Sequence, residues 1–169
     1  MHLVLDALPG REVRALSDVR CLIGLGNYLA GDDGVGVHVV EYIVASGLDR
    51  GFTAVDLATN ALNIVSYLAP DTEAVLVVDA AYLGLEPGEF RIFSPDEVET
   101  QKELAGFSTH EGDPLKVLQL ARSAGYTIPA FAVMGIEPSG VEHGSALSER
   151  LGERLPEYAA AAIEHLAGL

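Results

Sequence analysis

The chain has 169 residues, with 25 acidic against 10 basic side chains and a formal net charge of −15. That length makes one domain, and a composition that is 49% hydrophobic and 21% charged excludes a disordered chain. So acidic a balance excludes a nucleic-acid partner or an anionic membrane surface, because phosphate neutralisation needs clustered Lys and Arg; a cation or a basic polypeptide segment fits better.

Residues 1–18 read as an N-terminal extension and residues 19–169 as a single domain. The opening stretch carries Asp6 and lacks a basic region, so it is not expected to act as a secretory leader. No run reaches the roughly 18 apolar residues that a membrane-spanning helix needs. The one cysteine, Cys21, leaves no disulfide framework and no cysteine-based zinc site; it sits at the start of an apolar run and reads as a buried thiol. A cytoplasmic setting is expected.

In chain order, Val19–Gly24 reads as a short buried strand, followed by a turn-rich loop, Gly24-Leu-Gly-Asn-Tyr-Leu-Ala-Gly-Asp-Asp-Gly34. Val35, Val37, Val39, Val40, Ile43 and Val44 mark a buried helix ended by Gly47. Thr53–Leu57 is a second strand. Ala61–Leu68 is expected as a helix with Leu62, Val65 and Leu68 on one face, capped by Thr59 or Asn60. Glu73–Ala80 is almost uniformly apolar, as a strand covered on both faces should be. Pro87–Phe93 alternates and reads as a further strand. Ser94–Phe107 is irregular, with a short acidic helix. Pro114–Ala124 is helical, Ile128–Ile136 is a strand, and Ser145–Leu166 is expected as one long helix. Strands alternating with helices predict an α/β fold, a three-layer α/β/α sandwich around a mainly parallel sheet.

Three polar residues stand just after strand-like runs or in the polar loops between elements: Asp33, Asp79 and His110. In such folds chemistry gathers at the carboxyl ends of strands. The Gly24-Leu-Gly26 pair invites a dinucleotide reading, but the third glycine of that fingerprint is Leu29 here, and two acids stand where a pyrophosphate would sit. Asp32 alone would satisfy helix capping, so Asp33, between Asp32 and Gly34, is surplus to it and reads either as a further cap or solvated acid or as a metal or catalytic residue. Asp79 ends an apolar strand, where an ionised carboxylate must be paired or coordinated. His110 lies in the polar loop Phe107-Ser-Thr-His-Glu111, where a solvated surface histidine is the ordinary reading and a ligand the sharper one, and His143 is a reserve candidate in a second strand-end loop. One imidazole and two carboxylates suit a first-row divalent ion, and three protein ligands leave room for substrate. The usual protease motifs are absent: there is no Gly-x-Ser-x-Gly elbow, no His-Glu-x-x-His, and Cys21 lies inside a strand.

At these residues the chain resembles the hydrogenase maturation proteases, which trim the C-terminus of nickel–iron hydrogenase large subunits. The resemblance rests on Gly24-Leu-Gly-Asn-Tyr-Leu-Ala-Gly-Asp-Asp-Gly-Val-Gly36, Val77-Val-Asp79-Ala, Ser108-Thr-His110 with Pro114-Leu115, and Val133-Met-Gly-Ile-Glu-Pro138 through Ser148. It covers roughly residues 20–166. It implies a phosphorylase/hydrolase-like three-layer sandwich with Asp33, Asp79 and His110 as metal ligands. The implied activity is one endoproteolytic cut in a nickel-loaded large-subunit precursor. Nickel would be supplied by that precursor, and other divalent metals could substitute in isolation. Nickel would act as a Lewis acid or as a recognition handle, with Asp33 or Asp56 as general base in an aspartyl-endopeptidase-like role. The family's Asp-Gly-Gly-Thr-Ala-Gly-like stretch reads Asp56-Leu-Ala-Thr-Asn-Ala61 here. That departure keeps a second expectation open, a non-catalytic nickel-sensing chaperone of the same precursor.

Overall fold

The computed structural model describes residues 20–97, 113–140 and 144–169. The expected extension 1–18, His110 and His143 lie outside the described residues.

The elements are β1 (Arg20–Gly24), α1 (Val35–Ala45), β2 (Thr53–Asp56), β3 (Ala74–Ala80), β4 (Phe90–Phe93), α2 (Pro114–Ser123), β5 (Ala130–Ile136), α3 (Glu149–Glu153) and α4 (Leu155–Gly168). Short 3-10 segments cover Gly31–Gly34 and Ala61–Tyr67. The strands form one sheet in the order β2-β1-β3-β5-β4. Four run parallel, and β4 pairs antiparallel with β5.

Alternation along the strands separates two cores. On one face Leu22, Leu76, Val78, Met134 and Ile136 pack against α1 and α4 through residues such as Val39, Ile43, Tyr158 and Leu166. On the other, Cys21, Ile23, Val75, Val77, Phe131 and Val133 meet Ala61, Ile64, Leu115, Leu118 and Ala121. Removing each such Leu or Ile from water contributes about 1.5–3 kcal/mol, which is why the apolar runs resist any other assignment. The expected three-layer sandwich with a mainly parallel sheet is the observed architecture.

Two elements differ from expectation. Ala61–Tyr67 is 3-10 rather than α-helical, and its buried residues Ala61 and Ile64 stand three apart, the period of a 3-10 turn. Leu62, expected inward, is 59% exposed, and Asn60 makes no side-chain cap. The long C-terminal helix is two helices. Pro156 lacks an amide and its ring would crowd the carbonyl four residues earlier, so the chain breaks at Arg154 and Pro156 opens α4.

Candidate active site

The carboxyl ends of β1, β2, β3 and β5 lie along one edge of the sheet. The chain leaves β1 for β2 on one side and later enters β3 on the other. The crevice where such a sheet reverses direction is the favoured ligand position of the fold class. Asp33 follows β1 and Asp79 lies at the end of β3, so the two acids flank that reversal.

Glycines bring them together. A side chain at Gly36, in the first turn of α1, would run into the carbonyl oxygens of Val78 and Leu25. Only a bare backbone lets α1 approach so closely, and the contact seats its first turn one residue from Asp79. Gly26 has a φ of 134° and lies against the backbone of Asp33 in the same way. The Gly24-Leu-Gly26 pair therefore serves close packing and the presentation of Asp33. The Asp33 carboxylate accepts a hydrogen bond from the Asn27 amide at 3.0 Å.

Burial pushes the Asp79 carboxyl up to about 8, and the Asp33 charge adds to the rise. The Ala80 amide, donating to it, works in the opposite direction, and Asp113 contributes a further upward push. Asp79 shares a sheet face with Val75 and Val77, the face on which α2 packs. Asp113 caps α2, accepting from the Leu115 amide at 2.9 Å, with Pro114 next in the first turn.

Among the described loop residues at this edge (25–34, 57–62, 81–89, 137–140 and 144–148) there is no Lys or Arg. The two acids thus interact electrostatically with no basic side chain on those loops, a donor pair suited to a divalent cation. Among the described residues no group of three His, Cys, Asp or Glu side chains converges. Asp33 and Asp79 are the described pair, and His110 lies outside the described residues.

Asp56 ends β2 opposite Gly24 of β1. One of its oxygens accepts from the Ala58 amide at 2.7 Å, closing a local turn. Ala58 has a φ of 48°, a left-handed conformation that costs a non-glycine residue roughly 1–2 kcal/mol. The loop without its glycines therefore still takes the backbone shape that glycine favours, and the Ala58 carbonyl accepts from the Gly26 amide at 2.9 Å.

Two buried acids carry roles that sequence reasoning missed. Asp32 does not cap the turn it opens; both its oxygens accept hydrogen bonds from Ser139 and Ser148. Glu137 accepts from the Leu83 amide at 2.5 Å and the Leu85 amide at 3.2 Å, which fixes the loop after Asp79. Their placement just after glycine turns and strand ends was visible in sequence; their partners were not. His38 lies on α1, with Nε2 3.0 Å from the Ser145 carbonyl and its ring stacked on Tyr28.

The fold is that of an α/β protein with two acids, Asp33 and Asp79, at the switch edge of its sheet. The chain belongs to the hydrogenase maturation protease family, whose sequence signature spans residues 37–165, and it is an endopeptidase of that family. It is 29% identical over 148 residues to the hydrogenase expression/formation protein HoxM of Azotobacter vinelandii, covering 86% of this chain and 71% of that protein. It is 32% identical over 119 residues to the hydrogenase 3 maturation protease of Escherichia coli K12, covering 69% of this chain and 71% of the relative. The hydrogenase maturating endopeptidase HybD from E. coli superimposes with a TM-score of 0.72 at 20% identity, over 88% of this chain and 91% of that one, a likeness of fold.

Proposed function

We propose that this chain removes the C-terminal peptide from a nickel–iron hydrogenase large-subunit precursor, and that Asp33, Asp79 and His110 engage nickel carried by that precursor. The observation that carries the reading is the acid pair at the sheet edge, two interacting acids with no Lys or Arg on the described loops around them. A cation arriving with the substrate would relieve both the burial of Asp79 and the repulsion from Asp33. His110 precedes Asp113 by three residues, so at most about 11 Å of chain separates the two α-carbons. Asp113 caps the helix that packs on the Asp79 face, which favours His110 as the third ligand.

Residues of this chain divide the remaining work. Asp33 and Asp79 hold the metal-bearing end of the substrate, and Asp56 or Asp33 takes the proton from the attacking water. Asp56 keeps one oxygen outside its turn bond for that purpose. The metal supplies Lewis-acid polarisation or a recognition handle. Tyr28, Leu29 and Tyr82, exposed on loops at the same edge, offer apolar contact to a polypeptide partner.

The test is the mass of nickel-loaded precursor before and after incubation with the protein. We expect loss of a C-terminal peptide, no change with nickel-free precursor, and no cleavage by His110→Ala or Asp79→Ala. Normal cleavage by either variant would remove that residue from the site. An uncut, stable complex with the wild-type protein would favour the chaperone.

A further inference from the structure

Asp32 is 2% exposed, yet neither of its oxygens serves the short helix in which it lies. Oδ1 accepts from the Ser148 amide at 2.7 Å. Oδ2 accepts from the Ser139 amide and the Ser148 hydroxyl, both at 2.9 Å. The same 3-10 turn is pinned on its other side, where the Gly31 amide donates to the Gly144 carbonyl and the Gly144 amide to the Leu29 carbonyl. The segment leaving β5 therefore grips the turn at two points. Between those points lies a cavity of about 390 Å³ bordered by Asp32, Ser139, Gly140, Gly144 and Ser148. Three hydrogen bonds to Asp32 therefore cross the edge of this cavity and help set the orientation of the turn.

We propose that Asp32 is a positioning residue for the acid pair: through Ser139 and Ser148 it fixes the turn that aims the Asp33 carboxylate at the metal shared with Asp79. The inference rests on the metal reading of Asp33 and Asp79. It makes the geometry of the site depend on Ser139 and Ser148, which are not among its proposed ligands. An amide cannot replace this carboxylate. Each Asp32 oxygen accepts from a backbone N–H, so an asparagine would have to set its own NH₂ group against one of them.

The test is calorimetric titration of the isolated protein with zinc, backed by kcat and KM for cleavage of the nickel-loaded precursor. We expect Asp33→Asn to abolish zinc binding. Asp32→Asn and Ser148→Ala should weaken it about 10–100-fold, the usual cost of losing an outer partner of a metal ligand. Ser148→Thr, which keeps the hydroxyl, should restore it. In both weakened variants KM for the nickel-loaded precursor should rise, because the misaimed Asp33 holds its metal-bearing end less tightly. If Asp32→Asn does not fold, Ser148→Ala carries the test, since it removes one of three hydrogen bonds and leaves the amide. Wild-type zinc affinity in the folded Asp32 and Ser148 variants, with binding lost in Asp33→Asn, would overturn this inference alone. Undiminished binding by Asp33→Asn would overturn the metal reading and this inference with it.

Discussion

Asp79 is the residue whose environment departs furthest from that of a free side chain. The unfolded chain releases its proton near the ordinary value of 3.8, whereas the folded chain holds it to about 8. Between these values the folded state binds more protons than the unfolded one, so the Asp79 contribution to stability is complete at low pH. It is lost progressively from about pH 4 to about pH 8. Asparagine cannot ionise. With a chelator present, the thermal midpoint of Asp79→Asn relative to wild type should therefore climb steadily between pH 4 and pH 8.5. A difference that stays constant with pH would show that the carboxyl is not held protonated. The position of Asp79 was legible because a carboxylate closing the apolar run 74–78 must lose its charge, find a partner or bind a cation. The role of Asp32 was not, because Ser139 and Ser148 lie 107 and 116 residues further along the chain. Spacing alone cannot join groups so far apart.

Elements were legible where apolar content dominated. All five strands stand where apolar or alternating runs put them, and α1 and α2 fall close to their expected spans. What failed was period and continuity. A 3-10 segment and an α-helix differ only slightly in spacing, and over seven residues the pattern does not separate them. The break before Pro156 could have been drawn from the proline itself, but the apolar stripe from Leu147 to Leu166 runs on across it. Packing of α1 on β1 and β3 yields an expectation at this scale. Gly36→Ala would gain helix propensity of about 1 kcal/mol, yet its methyl group would meet the Val78 and Leu25 carbonyls. Overpacking of this kind costs about 1–3 kcal/mol. We expect a net loss of stability in urea denaturation together with weaker zinc binding, since α1 and the Asp33 turn must move together. A variant as stable as wild type would mean that the helix can slide away without penalty.

The whole molecule carries a net charge of −15, and two of its described basic side chains are engaged locally. Arg20 donates to the Leu166 and Ala167 carbonyls at the end of α4 and lies 3.5 Å from Glu73. Arg154 pairs with Glu157 and reaches the Gly88 carbonyl. Self-repulsion of the remaining acids opposes compaction. Raising sodium chloride from about 0.01 M to about 0.5 M shortens the screening length several-fold and should raise the thermal midpoint. A falling midpoint would show that local ion pairs outweigh the general repulsion. At this scale the fold class was legible from the succession of elements. The order β2-β1-β3-β5-β4 was not, because nothing in a single strand names its neighbour.

The alternation of β3 has one more implication, for anyone who would move the centre to another protein or retune it. Successive residues of a strand face opposite layers. Val78 points toward α1 and α4, whereas Asp79 stands on the face shared with Val77 and α2. An acid shifted by one position would disappear into the wrong core. The smallest usable step is two residues, about 6.6 Å along the strand, too far for the proposed pair still to share one cation. The spacing of this centre is therefore quantised: it can be kept or rebuilt, but it offers no gradual path between.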